Sequence, residues 1–130
     1  MRLLSAITLT LAPVAGFAAQ DITKDETVRG FVTTSVIAAK VANGCDKLTI
    51  SSAGLTVLQT EVFAYIEGQG YGAEEAAGLQ DEAFNREIGR AADAAISEQG
   101  FDPKNARDLC AFGKKEMTKG SAVGSVLESR

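Results

Sequence analysis

A sequence of 130 residues without a single histidine gives up the side chain most often used as a general base near neutrality. Ser-His-Asp and Cys-His nucleophile systems are therefore excluded. Carboxylates are what remain, and Glu74, Glu75, Asp81 and Glu82 are the densest group of them. A two-carboxylate hydrolase needs one acid buried enough to hold its proton. These four stand in short polar stretches that predict exposed positions. Gly68-x-Gly-x-Gly72 has neither the spacing nor the Gly-Lys-Ser/Thr continuation of a phosphate loop, and no strand precedes it, so it reads as a helix corner. There is no calcium loop of the D-x-D-x-D-G type. Lys114, Lys115 and Lys119 fall near a helix end, where the dipole favours positive charge. Gly120-x-x-x-Gly124 permits close helix approach without the apolar span its membrane role requires. No catalytic, cofactor-binding or metal-ligating residue is expected.

Where the chain goes is more legible. Arg2 supplies a charge, Leu3 to Val14 is uncharged and largely apolar, and Gly16 and Ala18 are small residues at the −3 and −1 positions of a cleavage site. This is the pattern of a secretory signal peptide, with cleavage expected after Ala18 and Ala19 as the alternative. An uncleaved anchor is the weaker reading, because the run falls short of the about 20 residues of a bilayer span. The expected organisation is a signal peptide at 1–18 and a single helical domain at 19–130, with no membrane span in the mature chain.

An exported chain meets an oxidising compartment. The two cysteines, Cys45 and Cys110, are accordingly expected to pair. The bridge encloses 64 residues, for which chain entropy allows at most about 4 kcal/mol. A zinc site is disfavoured by the lack of His and of C-x-x-C, and a redox pair by the distance between the thiols in sequence.

The elements that would position these residues are helical. Val28, Phe31, Val32, Val36 and Ala39 recur at steps of three and four and mark a first helix ending at Asn43-Gly44. Leu48-Thr49-Ile50 has no partner strand in view and reads as an extended connection. Ser51 or Ser52 caps a second helix bearing Leu55, Leu58, Val62, Tyr65 and Ile66. A short helix runs from Ala73 to about Leu79. Asp81 caps a longer one carrying Phe84, Ile88, Ala92, Ala95 and Ile96. Asp102-Pro103 reads as N-cap and first residue of the last major helix, whose face carries Ala106, Leu109, Cys110 and Met117. A turn or short helix over Ser121 to Leu127 ends the series.

One echo recurs thirty residues apart: Gln69-Gly70-Tyr71 with Ala76 and Leu79, then Gln99-Gly100-Phe101 with Ala106 and Leu109. Two copies fall short of a solenoid and read as two equivalent helix-to-helix corners. With 45% apolar and 23% charged residues, the chain has the composition of one globular domain. Its net charge is −4, or −5 after loss of Arg2, which argues against a nucleic-acid partner. Glu61 to Glu98 holds nine acidic and two basic residues, while Asp102 to Arg130 holds four acidic and six basic. A solvated helix face accounts for the acidic stretch, with steering toward a basic partner as the functional alternative.

The stretch Leu109-Cys110-Ala111-Phe112-Gly113-Lys114-Lys115-Glu116-Met117, continuing to Ser121-Ala122-Val123-Gly124 and Leu127, resembles a domain-of-unknown-function family of small exported bacterial proteins with two cysteines. The Gly70-Tyr71 and Gly100-Phe101 corners, and a Cys soon after the first helix, are similar too. The resemblance covers roughly Lys24 to Leu127 and is specific around Cys110. It implies an all-helical secreted or periplasmic protein with one bridge, and transfers no functional residues.

The expectation is an all-α, compact bundle of four to six helices pinned by Cys45–Cys110, in the periplasm or the medium. A non-enzymatic accessory protein acting on another envelope or secreted protein is the leading function. A periplasmic acid-stress chaperone is the alternative, since 17 carboxylates lose charge on acidification while 12 basic groups keep theirs. A carboxylate hydrolase is the third.

Overall fold

The computed structural model describes residues 20–130, so the expected leader at 1–18 lies outside the described residues. Most of the helices start where a short polar side chain can take up free N–H groups; the short one that follows Gly72 does not. Asp21 accepts from Thr23 N–H to open a single 3-10 turn, Ile22–Lys24. Asp25 accepts from the N–H groups of Thr27 and Val28 and starts α1 (Glu26–Gly44). Ser51 accepts from Gly54 to start α2 (Ser52–Gly68). After α3 (Ala73–Ala77) and a 3-10 turn at Gly78–Gln80, Asp81 accepts from Phe84 to start α4 (Glu82–Glu98). Asn105 and Ser121 do the same for α5 (Ala106–Lys119) and α6 (Ala122–Ser125). The fold is an all-α bundle with six helices among the described residues.

The start of α5 corrects the sequence reading. Asp102-Pro103 does not begin the helix; Asp102 accepts from Lys104 N–H to close a turn, and the carboxylate of Asp108 reaches back to Asp102 N–H. Asn105 does the capping. The end of α1 is also reached differently. Gly44 keeps negative φ and is small for another reason: a Cβ there would collide with the Leu109 side chain.

The hydrophobic effect gathers these helices around α1. Ile37, Ala38 and Val41 of α1 pack with Ala92 and Ile96 of α4 and with Leu109 and Phe112 of α5. The buried face of α1 is turned from the one periodicity marked, because α4 and α5 claim one side and α2 another. Phe31, Val32 and Val36 are consequently half-buried and Ala39 is exposed. On α5 the buried positions are Leu109, Phe112, Gly113 and Glu116, while Ala106 is exposed and Cys110 half-buried.

The segment read as an unpaired connection is a strand, β1 (Leu48–Ile50). Its partner is β2 (Leu127–Ser129), antiparallel, with Leu48 opposite Ser129 and Ile50 opposite Leu127. Three residues following a helix carry too little alternation to announce a strand. Arg130 fastens the ribbon, its guanidinium donating to the carbonyls of Leu48 at 2.9 Å and Ala42 at 3.3 Å. Beside it, Cys45 and Cys110 form the disulfide, with their Cα atoms 5.1 Å apart.

The two echoed corners have the same backbone. Gly70 and Gly100 take φ of 76° and 86°, the left-handed conformation glycine enters without penalty. The following aromatic N–H donates five residues back in both, Tyr71 to Ile66 and Phe101 to Ile96. The side chains then diverge. Phe101 meets Phe112 edge-on at 5.9 Å, whereas Tyr71 goes to a carboxylate.

Close approach is the other use of glycine here. A Cβ on Gly124 would strike the backbone carbonyl of Glu116, and one on Gly113 would press on Leu48 and Val41. Gly124→Ala should therefore cost about 1–3 kcal/mol, since backbone cannot step aside. Gly89→Ala, in the α4 interior with nothing within 4 Å of its Cβ position, should gain about 0.5–1 kcal/mol from helix propensity. Urea denaturation midpoints of the two variants, moving in opposite directions, check the pair.

Candidate functional site

The acidic residues singled out by density serve local structure. Glu75 accepts from Gly72 N–H at 2.9 Å, Asp81 caps α4, and Glu82 pairs with Arg86 one turn on. Glu74 is exposed. The structure does not gather the four around a common cavity among the grooves it describes. The Gly68–Gly72 stretch is a corner between α2 and α3. Lys119 pairs with Glu116 at 3.3 Å and Lys115 lies 5.5 Å from the centre of the Phe101 ring, while Lys114 faces a groove beside the disulfide. Of the Gly120/Gly124 pair, Gly124 alone makes a close approach, against the last turn of α5, while Gly120 ends that helix in the left-handed conformation.

What the fold brings together instead is a carboxylate and two phenols. Asp25 receives the hydroxyl of Tyr71 at 2.8 Å and that of Tyr65 at 3.1 Å, in addition to the two N–H groups it caps. Tyr65 comes from the last turn of α2, Tyr71 from the corner beyond it, and Asp25 from the start of α1. One side chain thereby ties the far end of α2 to the N-terminus of α1. Partial burial pulls the Asp25 carboxyl upward, but the hydrogen bonds from Tyr71, Val28, Tyr65 and Thr27 outweigh it and hold the group below its ordinary value. The same bond to Asp25, with desolvation and the carboxylate's charge behind it, pushes the Tyr71 hydroxyl up to about 12. Acidic density in the sequence did not point to Asp25, although a short acid just before an apolar-periodic run is a helix-cap signal. Its phenol partners stand 40 and 46 residues away and left no signal there.

The clasp matters because α2 is otherwise held mainly at its start, where Gly54 lies against the backbone of Ser125. Leu58 alone among its residues is buried, and Phe31 of α1 meets Tyr65 at 6.4 Å. Leu55, Val62 and Ile66 are half-exposed, and Val57 and Phe63 stand 59% and 69% exposed. Two open apolar grooves follow. One, about 250 Å³, runs between Phe31, Val57 and Leu58 toward Ala122 and Ser125. The other, about 140 Å³, lies between Val32, Val62 and Phe63. α2 carries two charged residues, Glu61 and Glu67, over its whole length.

Two further polar features are structural. Glu116 is 4% exposed. It takes Gln99 Nε2 at 3.0 Å and Lys119 Nζ at 3.3 Å, locking the end of α4 to α5. Burial raises its carboxyl, but Ser121, Gln99 and Lys119 together bring it below the ordinary value. Cys45, Asp46 and Cys110 offer ligand atoms within 4.8 Å of one another, but both sulfurs are consumed by the disulfide, so the trio is not a metal set. No helix among the described residues is long and apolar enough to cross a membrane.

The class that this structure defines is an all-α bundle with one disulfide. The sequence matches a family described as a family of unknown function, DUF5333, over residues 20–128, and the chain belongs to that family. No curated protein and no solved structure matches it.

The clasp makes a pH-dependent prediction. A carboxyl held below its unfolded value contributes stability above that value and loses it as pH falls through the folded one. Asp25→Asn should cost on the order of 1 kcal/mol at pH 7, where the charged acceptor is lost. The difference from the parent protein should shrink as pH drops from about 4 toward 2. Denaturation curves at a series of pH values read this directly; a difference constant across that range would show that the charge of Asp25 contributes nothing.

Proposed function

We propose that this protein is a non-enzymatic accessory protein of the cell envelope, exported to the periplasm or beyond, that works by docking the α1–α2 face onto another protein. The observation behind the reading is Phe63, a large aromatic side chain held out on α2 above an apolar groove, with Val57 beside the neighbouring groove. Aromatic anchors of this kind concentrate binding energy when a partner removes water from around them. The flanks are mostly uncharged, with Thr34 and Ser35 on α1 and Gln59 on α2, and Glu61 is the one charged side chain lining the grooves, which suits a partner surface of low charge. The cysteine bridge is consistent with an oxidising compartment.

A second reading, an acid-stress chaperone, draws on the Asp25 clasp. Protonation of that carboxylate weakens the bonds from Tyr65 and Tyr71, freeing the end of α2 and uncovering Phe31 and Leu58 for a client. Aggregation-suppression assays across pH 2–7 decide it, and absence of client protection at every pH rejects it.

The docking reading is tested in cells. A photo-cross-linking residue at position 57 should form a discrete adduct with an envelope protein. Phe63→Glu in the same chain should reduce that adduct about 30-fold, the loss of a 2 kcal/mol anchor, while the denaturation midpoint stays within about 0.5 kcal/mol of the parent, as for a surface change. No adduct, or an adduct indifferent to Phe63→Glu, would reject the α1–α2 face as the docking surface.

A further inference from the structure

The disposition of positive charge marks a second surface, sharing no residue with the α1–α2 face. Lys24, Arg29, Lys40, Arg86 and Lys119 stand in ion pairs. Lys115 lies over the Phe101 ring, and Arg130 donates to backbone carbonyls. Among the described residues, five cations have no such engagement: Lys47, Arg90, Lys104, Arg107 and Lys114. Three of these five, Lys47, Arg107 and Lys114, line one cavity. In a chain of net negative charge, unengaged cations repel one another, and clustering them costs energy unless an anion is received there.

The cavity is an open groove of about 410 Å³ beside the disulfide, between the α1–β1 connection and α5. Its floor is small and uncharged, made by Ala106, Cys110 and Ala111. Asp46 is the single anion in the lining; its carboxylate lies within 4.8 Å of both sulfurs, and the lining keeps a net charge of +2. The volume falls in the range of about 300–1,000 Å³ common to ligand pockets, more than a lone ion fills.

Spacing narrows the ligand. Arg107 and Lys114 are seven residues apart on one helix, so they share a face about 10 Å apart along its axis. A polyproline-II segment repeats every three residues and advances about 9 Å in doing so. Carboxylates at every third position of such a segment therefore meet Arg107 and Lys114 in register, with Lys47 approaching from the other wall. An anionic membrane is the poorer match, because headgroup recognition uses clusters of about 4–8 cations and this site is concave with three.

We propose that the groove formed by Lys47, Arg107 and Lys114 over Ala106 and Ala111 binds an acidic, extended peptide segment of a partner protein, with carboxylates three residues apart.

The probe is a fluorescent peptide, Glu-Pro-Ala-Glu-Pro-Ala-Glu, titrated against the full-length mature protein at 20 mM salt. Binding should be saturable. It should fall at least fivefold with Arg107→Gln or Lys114→Gln and more than tenfold with both. It should change less than twofold with Lys104→Gln or Arg90→Gln, the unengaged cations outside the groove. The all-Gln peptide should not bind, and a peptide with its three glutamates consecutive should bind several-fold more weakly. Thermal melts of each variant establish that it is folded. Equal losses from the control substitutions would reduce the effect to bulk charge and overturn the proposal. So would indifference to carboxylate spacing, or binding to phosphatidylglycerol vesicles but not to the peptide.

Discussion

The crossing of α1 and α5 is the contact on which the rest of this structure depends. Both helices bury apolar faces there, but neither could approach so closely with ordinary side chains at Gly44 and Gly113, where a Cβ would enter Leu109 on one side and Leu48 and Val41 on the other. The Cys45–Cys110 bridge holds the same crossing covalently. Packing and bond thus reinforce one geometry, with low-volume residues setting the distance and sulfur maintaining it. From that crossing α4 is placed by Ala92 and Ile96, and the β ribbon by Leu48 and Leu127.

α2 stands outside this arrangement. Its single buried residue and its dependence on Tyr65 and Tyr71 make it the least integrated of the long helices. Elements with few buried contacts open first under native conditions. The same property that leaves Phe63 available for a partner also leaves the helix reliant on one carboxylate. The two candidate surfaces differ in kind: the α2 face is mainly apolar with Glu61 at one groove, while the groove beside the disulfide is cationic over small side chains.

Local signals were readable in the sequence wherever the chemistry is local. Ser51 and Asp81 cap where a cap was expected, Gly70 and Gly100 turn left-handed at the two echoed corners, and Phe84, Ile88, Ala92 and Ile96 form the buried stripe of α4. The disulfide followed from two cysteines and an expected export signal. Features made by distant residues were not readable. β1 looked like a connection because its partner lies far along the chain, and the capping role of Asp102 passed to Asn105 because Asp102 is engaged in its own turn. The candidate sites belong to this second kind. Tyr65 reads as part of an apolar face, Asp25 stands outside the dense acidic group, and Lys114 reads as a dipole partner because Lys47 and Arg107 come beside it only in the fold.

The nearness of the bridge to the ribbon has a consequence for how the molecule comes apart. Without the sulfur bond, pairing Leu48 with Ser129 closes a loop of about 80 residues, whereas with it the effective loop shrinks to roughly 20, saving about 1 kcal/mol of closure entropy. Reduction therefore penalises the two short strands beyond the helices themselves. A thiol reagent would fray this ribbon before it melted the bundle, releasing Leu127 and the anchoring guanidinium of Arg130 while α1 and α4 remained associated.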